Sequence, residues 1–225
     1  MRNKKNREFS KYYNFGIFSK IIYTLSRFLF WLFVKFFIRL KVKTLISFPL
    51  KKPLILASNH LSFLDPFLLC ICFPFNSRVH FIRFMTADVL MKKFGFIIKR
   101  WGCFPTFHGR GLNTSLKIPK KIIEQGNSLL IFPRGKRIKR LHKRKSKVGT
   151  AILALTNNTP ILPIKIIDSH PGSLKKLFLR KRQIKIIIGK PFLLNEQIGE
   201  KNDYTNDDFR KATEIIVKEI SRLQF

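Results

Sequence analysis

The chain has 225 residues, enough for one domain with a sizeable core, alone or with a short appendage. Hydrophobic residues make up 45% and charged residues 25%, which excludes intrinsic disorder; the three cysteines exclude a disulfide scaffold and fit a reducing compartment. Lys and Arg number 45 against 12 Asp and Glu, a formal net charge of +33, so the partners favoured are polyanions: nucleic acid, anionic lipid headgroups or phosphorylated substrates.

The abundance of Lys, Ile, Phe and Asn is also what AT-rich coding favours, so the net charge by itself names no partner. The charge is unevenly spread: residues 196–225 hold 5 basic and 7 acidic side chains, whereas the preceding 195 hold 40 and 5.

Residues 1–45 read as a basic, amphipathic membrane-interface segment. Its centre, Ile17–Leu40, is very apolar and aromatic, interrupted by Lys20, Arg27, Lys35 and Arg39. At about 100° per residue those four cations fall within roughly a third of a helix's circumference, and the rest of the surface is Ile, Leu, Phe, Trp and Val. That pattern predicts a helix lying in the bilayer interface, cations at headgroup level and aromatics in the acyl boundary. A spanning helix needs about 18 or more consecutive apolar residues, and charges interrupt this run. A secretory signal also fits poorly, since no A-x-A-like cleavage site follows. An amphipathic helix packed on the domain's own core is the alternative.

Beyond it, Pro53–Ser58, Arg78–Met85, Ser128–Phe132, Pro160–Ile166 and Gln183–Ile188 read as short strands, several continuously apolar and hence buried on both faces. Asp65–Phe73, Asp88–Lys99, Ile118–Gln125, Ser146–Asn157 and Thr205–Leu223 read as helices, the third shortened by Pro119. In the last, Thr205 with Asp208 forms a capping box, and Phe209, Ala212, Ile216, Ile220 and Leu223 repeat at helical spacing. Strands alternating with helices, with no internal repeat and no Gly/Ser-rich linker, predict an α/β fold. Residues 46–225 would be a single domain with a mixed sheet flanked by helices, the amino-terminal interfacial helix being added to it.

The sharpest local feature is Asn59-His60-Leu61-Ser62-Phe63-Leu64-Asp65-Pro66, between a buried strand and a helix, where α/β folds place functional loops. A His and an Asp five apart across a turn can meet. The carboxylate then sets the imidazole tautomer, and the histidine serves as general base toward a hydroxyl. For the pair alone the favoured reading is structural, with Asp65 as a helix N-cap and His60 as a satisfied turn residue; the blocks that follow change that balance.

Three more blocks follow: Gly102-Cys103-Phe104-Pro105, then Phe132-Pro133-Arg134-Gly135-Lys136-Arg137 after a strand, then Pro160-Ile161-Leu162-Pro163. In order and spacing this set resembles the glycerolipid acyltransferase family of 1-acylglycerol-3-phosphate (lysophosphatidate) acyltransferases. That family shows an N-H-x4-D block, a G-x-F-P-like block ending in arginine, an F-P-E-G-T-R block and a P-I-x-P block. The resemblance runs from about Pro53 to Ile166, roughly half the chain.

The resemblance implies an O-acyltransferase in phospholipid biosynthesis, moving a fatty acyl group from an acyl thioester to the free hydroxyl of 1-acylglycerol-3-phosphate to make phosphatidate. The donor would be acyl-coenzyme A or acyl-acyl carrier protein, with no cofactor. His60 would be the base and Asp65 its orienting partner, while Asn59, Arg110, Arg134, Gly135 and Arg137 would bind the acceptor. The chain departs from the family at Arg134, where glutamate is expected, at Lys136, where threonine is expected, and at His108, where the second block expects arginine; Arg110 stands two residues further on. These changes touch the acceptor blocks and leave the first block intact. Two other functions therefore stay open: the same chemistry on another lysolipid or lipid acceptor, and a non-catalytic basic relative that binds membrane or nucleic acid.

The run 134–147 holds nine Lys/Arg in fourteen residues but no aromatic residue to stack bases, which disfavours a nucleic-acid partner. The expected partners are an anionic membrane surface, a lysophospholipid acceptor and the acyl-coenzyme A or acyl carrier protein donor, at the cytoplasmic face as a peripheral or monotopic protein. Cys70, Cys72 and Cys103 lack ligand-like spacing to further Cys or His and read as core residues, so no metal is expected. His80 reads as structural, His142 as solvated and His170 as part of a turn.

Overall fold

The computed structural model describes residues 16–48, 50, 53–105, 111–135, 146–169 and 183–225. The chain order is α1 (Ile17–Phe37), β1 (Arg39–Thr44), β2 (Ile55–Ser58), α2 (Asp65–Ile71), a 3-10 turn (Arg78–His80), β3 (Ile82–Thr86), α3 (Asp88–Arg100), β4 (Cys103–Pro105), α4 (Leu112–Glu124), β5 (Ser128–Ile131), α5 (Gly149–Thr156), β6 (Ile161–Ile167), β7 (Gln183–Ile188), α6 (Asn195–Ile198) and α7 (Asn206–Arg222).

One seven-stranded sheet organises these elements, in the order β1-β7-β6-β2-β5-β3-β4. Every neighbouring pair is parallel except β6 with β7, so the sheet is mixed and β1 and β7 run against the rest. Strand β2 lies mid-sheet, registered on β6 (Ile55↔Ile161) and β5 (Ile55↔Leu129), and all four of its residues are buried. Its alternation divides the core. Leu54 and Leu56 join one cluster with Leu162, Ile164, Leu68 and Leu69, whereas Ile55 and Ala57 join another with Ile122, Ala151 and Ile216. Helices α1, α2 and α3 belong to the first face, and α4, α5 and α7 to the second.

The elements read from the sequence are present, with differences at their ends. The helix expected over Ile17–Leu40 stops at Phe37 because Ile38 is extended, and Arg39–Thr44 becomes edge strand β1. Strand β1 falls within the 1–45 segment and pairs along its whole length with β7. The strand expected over Arg78–Met85 begins only at Ile82, after the 3-10 turn. The helix expected from Ile118 starts at Leu112 and carries Pro119 inside it. Pro119 interrupts one hydrogen bond of this helix, but it and Ile118, Ile122 and Ile123 are buried, so packing outweighs the lost bond.

Arginine 27 corrects the reading that sets all four α1 cations at headgroup level. Its guanidinium is 1% exposed and lies beneath the helix. Nε donates to the Cys70 carbonyl at 2.7 Å, and the terminal nitrogens donate to the Phe73 carbonyl and to His80 Nδ1. Because His80 Nδ1 accepts, its Nε2 donates to Thr24 Oγ1 at 3.1 Å. Burial and the adjacent Arg27 push the His80 pKa down to about 4, so the imidazole is neutral, and burial also lowers that of Arg27.

Candidate active site

The site forms where strands β6, β2 and β5 end side by side. After Ser58 the chain leaves the sheet, and Asn59 makes the exit possible. Its Nδ2 donates to the Ile166 carbonyl at 2.8 Å and its Oδ1 accepts from Ile166 N at 2.7 Å, so a side chain replaces the backbone in the β2–β6 ladder. The backbone is then free to turn through His60–Leu64 into α2.

Asp65 opens that helix and is 0% exposed. Oδ2 accepts from His60 Nδ1 at 2.9 Å, from Leu61 N at 2.6 Å and from Ser62 N at 2.7 Å, while Oδ1 accepts from Ser169 Oγ at 2.6 Å. A buried carboxylate with four donors is held immobile. It accepts the hydrogen bond from Nδ1–H, which leaves Nε2 of His60 as the nitrogen with the free lone pair. The His60 side chain is 18% exposed, and Nε2 has no hydrogen-bond partner among the described residues. The ring stacks on Phe132, with centroids 4.0 Å apart and planes 14° apart.

Phe132 leads into Pro133-Arg134-Gly135, a turn closed by Gly135 N donating to the Phe132 carbonyl at 2.8 Å. Gly135 has φ +65°, in the left-handed region. Lys147 folds back over it: Lys147 N donates to the Pro133 carbonyl at 2.8 Å, and a Cβ at position 135 would sit 3.2 Å from Lys147 Cε. Arg134 buries Nε and one terminal nitrogen with no partner among the described residues, and that burial lowers its pKa. Buried donors without acceptors suit an incoming anion.

The second block occupies edge strand β4. Gly102 has φ +78°, and a Cβ there would meet the Ile82 carbonyl at 2.9 Å, so the close approach of β4 to β3 requires glycine. Arg83 Nε donates to the Gly102 carbonyl at 2.9 Å, tying the same corner. Arg110 and His108 lie outside the described residues, as do Arg137, Lys136, His142 and His170. The fourth block is part of the sheet: Pro163 pairs with Ala57, and its carbonyl accepts from Gly189 N at 2.9 Å.

Among the described residues no group of His, Cys, Asp and Glu could hold a metal ion. Cys70 and Cys103 are buried, and burial raises their thiol pKa values, that of Cys70 to about 11. A cavity of about 510 Å³ between α1, β1 and the end of α2, lined by Trp31, Lys35, Arg39, Lys41 and Ile71, is separate from the His60 loop.

Residues 39–167, more than half of the chain, match the model of the family described as Acyltransferase. The chain belongs to the acyltransferase family. A probable 1-acyl-sn-glycerol-3-phosphate acyltransferase of Mycoplasma pneumoniae is 30% identical to it over 138 residues, 60% of this chain and 52% of that protein. The chain therefore spans about half the length of the curated relative it matches. The crystal structure of the 1-acyl-sn-glycerophosphate (LPA) acyltransferase PlsC from Thermotoga maritima shares its fold, with a TM-score of 0.57 at 18% identity over the whole of both chains.

Three residues of the site carry no signal in the sequence. Ser169 lies beyond the fourth block and carries no motif of its own. Phe132 reads only as one letter of the third block. Lys147 is one of nine cations in its run, and nothing there singles out the one that returns to Gly135.

Proposed function

We propose that the chain is a membrane-surface O-acyltransferase that acylates the free hydroxyl of 1-acylglycerol-3-phosphate from an acyl thioester, yielding phosphatidate. The observation that carries this reading is the His60–Asp65 pair, with Nδ1 committed to a buried carboxylate and Nε2 without a partner among the described residues. Nε2 removes the acceptor's hydroxyl proton as that oxygen attacks the thioester carbonyl. The tetrahedral adduct collapses, the carbon–sulfur bond breaks, and the imidazolium returns its proton to the departing thiolate. No covalent enzyme intermediate is needed.

Arg134, with buried nitrogens that have no partner among the described residues, and Lys147 beside Gly135 supply cations for the acceptor phosphate. Asn59 has both polar atoms engaged by Ile166, so its contribution is to place the loop. The donor is acyl-coenzyme A or acyl-acyl carrier protein, both anionic and suited to a strongly basic chain. The arginine at position 134 favours a second reading, the same transfer to a lysolipid with a different headgroup.

For attachment, α1 is long and apolar enough to cross a membrane, yet it packs against α2, α3 and β1, burying Tyr23, Arg27 and Val34, and exposes Phe18, Ile21, Leu25, Phe28 and Leu29. A helix fixed sideways to the domain lies on the bilayer, at the cytoplasmic face where thioester donors are found.

The test supplies labelled lysophosphatidate and acyl thioester to wild type and to His60→Ala in membranes. Diacyl product from wild type alone supports the reading. Transfer by His60→Ala at the wild-type rate would remove His60 as the base. Transfer by wild type only when other lysolipids are supplied selects the second reading.

A further inference from the structure

The layer that carries the site also carries an exposed apolar surface that acyl transfer does not use. On α3, Val89 and Phe96 are 74% and 76% exposed, and Leu90, Phe94 and Ile97 are exposed with them, while Met91 turns inward. Lys92, Lys93 and Lys99 are exposed on the same helix, and Arg100 lies over the Phe96 ring at 3.9 Å. Large apolar side chains interleaved with long cations are what a helix at a lipid surface presents.

This surface continues that of α1. Arg100 also reaches the Phe18 ring of α1 at 5.9 Å. Beneath, Phe30 of α1, Phe67 of α2 and Trp101 at the end of α3 contact one another, with centroids 4.9 to 6.1 Å apart. The two helices are thus locked into one face. Because β3 runs parallel to β5, and β5 to β2, helix α3 starts at the sheet edge where the His60 loop turns, and Phe63 of that loop is also exposed.

The charge selects what covers this face. A second copy of the chain would set Lys92, Lys93, Lys99 and Arg100 against the same four cations. An anionic bilayer takes up the apolar side chains and neutralises the cations together. We infer that α3 is a second membrane-inserting element, seated with α1 on anionic lipid so that the His60 loop opens at the bilayer surface. The inference rests on the membrane-surface part of the proposed function and extends it by assigning α3.

The test uses the full chain with vesicles of phosphatidylcholine, alone or mixed with phosphatidylglycerol, and no acyl donor, so membrane contact is read whether or not the chain transfers acyl groups. An environment-sensitive fluorophore on Phe96→Cys is expected to shift to the blue on mixed vesicles and to be quenched by brominated lipid. Lys92→Gln with Lys93→Gln, both on the exposed face and harmless to folding, is expected to weaken partition into mixed vesicles about tenfold. Phe96→Ser with Ile97→Ser is expected to lose a similar factor. Wild-type partition by both double variants, or a label that stays in water on bound protein or is shielded by self-association before vesicles are added, would overturn the assignment.

Discussion

Helices α1 and α7 cover opposite faces of one sheet and use the same helical period in opposite ways. Helix α7 turns Ala212, Thr213, Ile216 and Ile220 inward and sets its charges outside, where Asp207 pairs with Arg210 and Glu219 with Arg222. Helix α1 turns Tyr23, Arg27 and Val34 inward and leaves a wide band of Leu, Ile and Phe outside. Water solvates the outer charges of α7, and the polar groups it does bury are satisfied close by, Asp208 by Lys201 and Thr205 and Thr213 by the Phe209 carbonyl. Once a helix presents its apolar residues outward, a polar group on its inner side must find protein partners. Arg27 finds the Cys70 and Phe73 carbonyls and the neutral His80.

The largest expected effect separates chemistry from this packing. His60→Ala should cut acyl transfer about a thousandfold or more while vesicle binding and melting temperature stay at wild-type values, checked by product formation and sedimentation side by side. An equal loss of binding would mean that the site and the attachment face are not independent.

Next comes the outer band of α1. Phe28→Asp with Leu29→Asp should weaken partition into anionic vesicles at least about tenfold, whereas Lys218→Glu on α7 should leave it unchanged. Equal effects from the two helices would erase the contrast between the layers.

On the inner side, Arg27→Ala removes a fully buried side chain and strands two carbonyls, so chemical denaturation should show a loss of about 3 kcal/mol. The neutral state of His80 adds a pH dependence. Its folded pKa of about 4 lies below the unfolded value, so the unfolded chain binds the extra proton first. Stability should be full above about pH 6.5, fall as the pH drops from there, and level off near pH 4, lowering the melting temperature by several degrees; His80→Asn should flatten that slope.

The smallest effect lies on the solvated side. Thr205→Ala removes the hydroxyl that accepts from Asp208 N at 3.2 Å and should cost about 1 kcal/mol. Lys201 and the Thr205 backbone and hydroxyl hold the Asp208 carboxyl down to about 2, so the stabilisation that Asp208→Asn removes should be full above about pH 4 and fade toward about pH 2.

The amino-acid sequence alone determined the alternation of buried strands with helices and the box-like start of α7 at Thr205 and Asp208, because each follows from local period or spacing; the five-residue spacing allowed the His60–Asp65 pairing and the structure decided it. Strand β7 is read to the residue, since the basic run before Gln183 and Gly189 after Ile188 bound its isoleucine-rich stretch on both sides. Strand β1 was hidden: Leu40 and Val42 do alternate with cations, but they directly continue the apolar run of α1. Only the tertiary structure decided which α1 cation is buried, since four similar cations differ solely in whether carbonyls and a histidine from distant segments meet them. It also decided that Ser169, Phe132 and Lys147 join the site. Those residues arrive from the ends of β6 and β5 and the start of α5, and no spacing along the chain encodes strands becoming neighbours in a sheet.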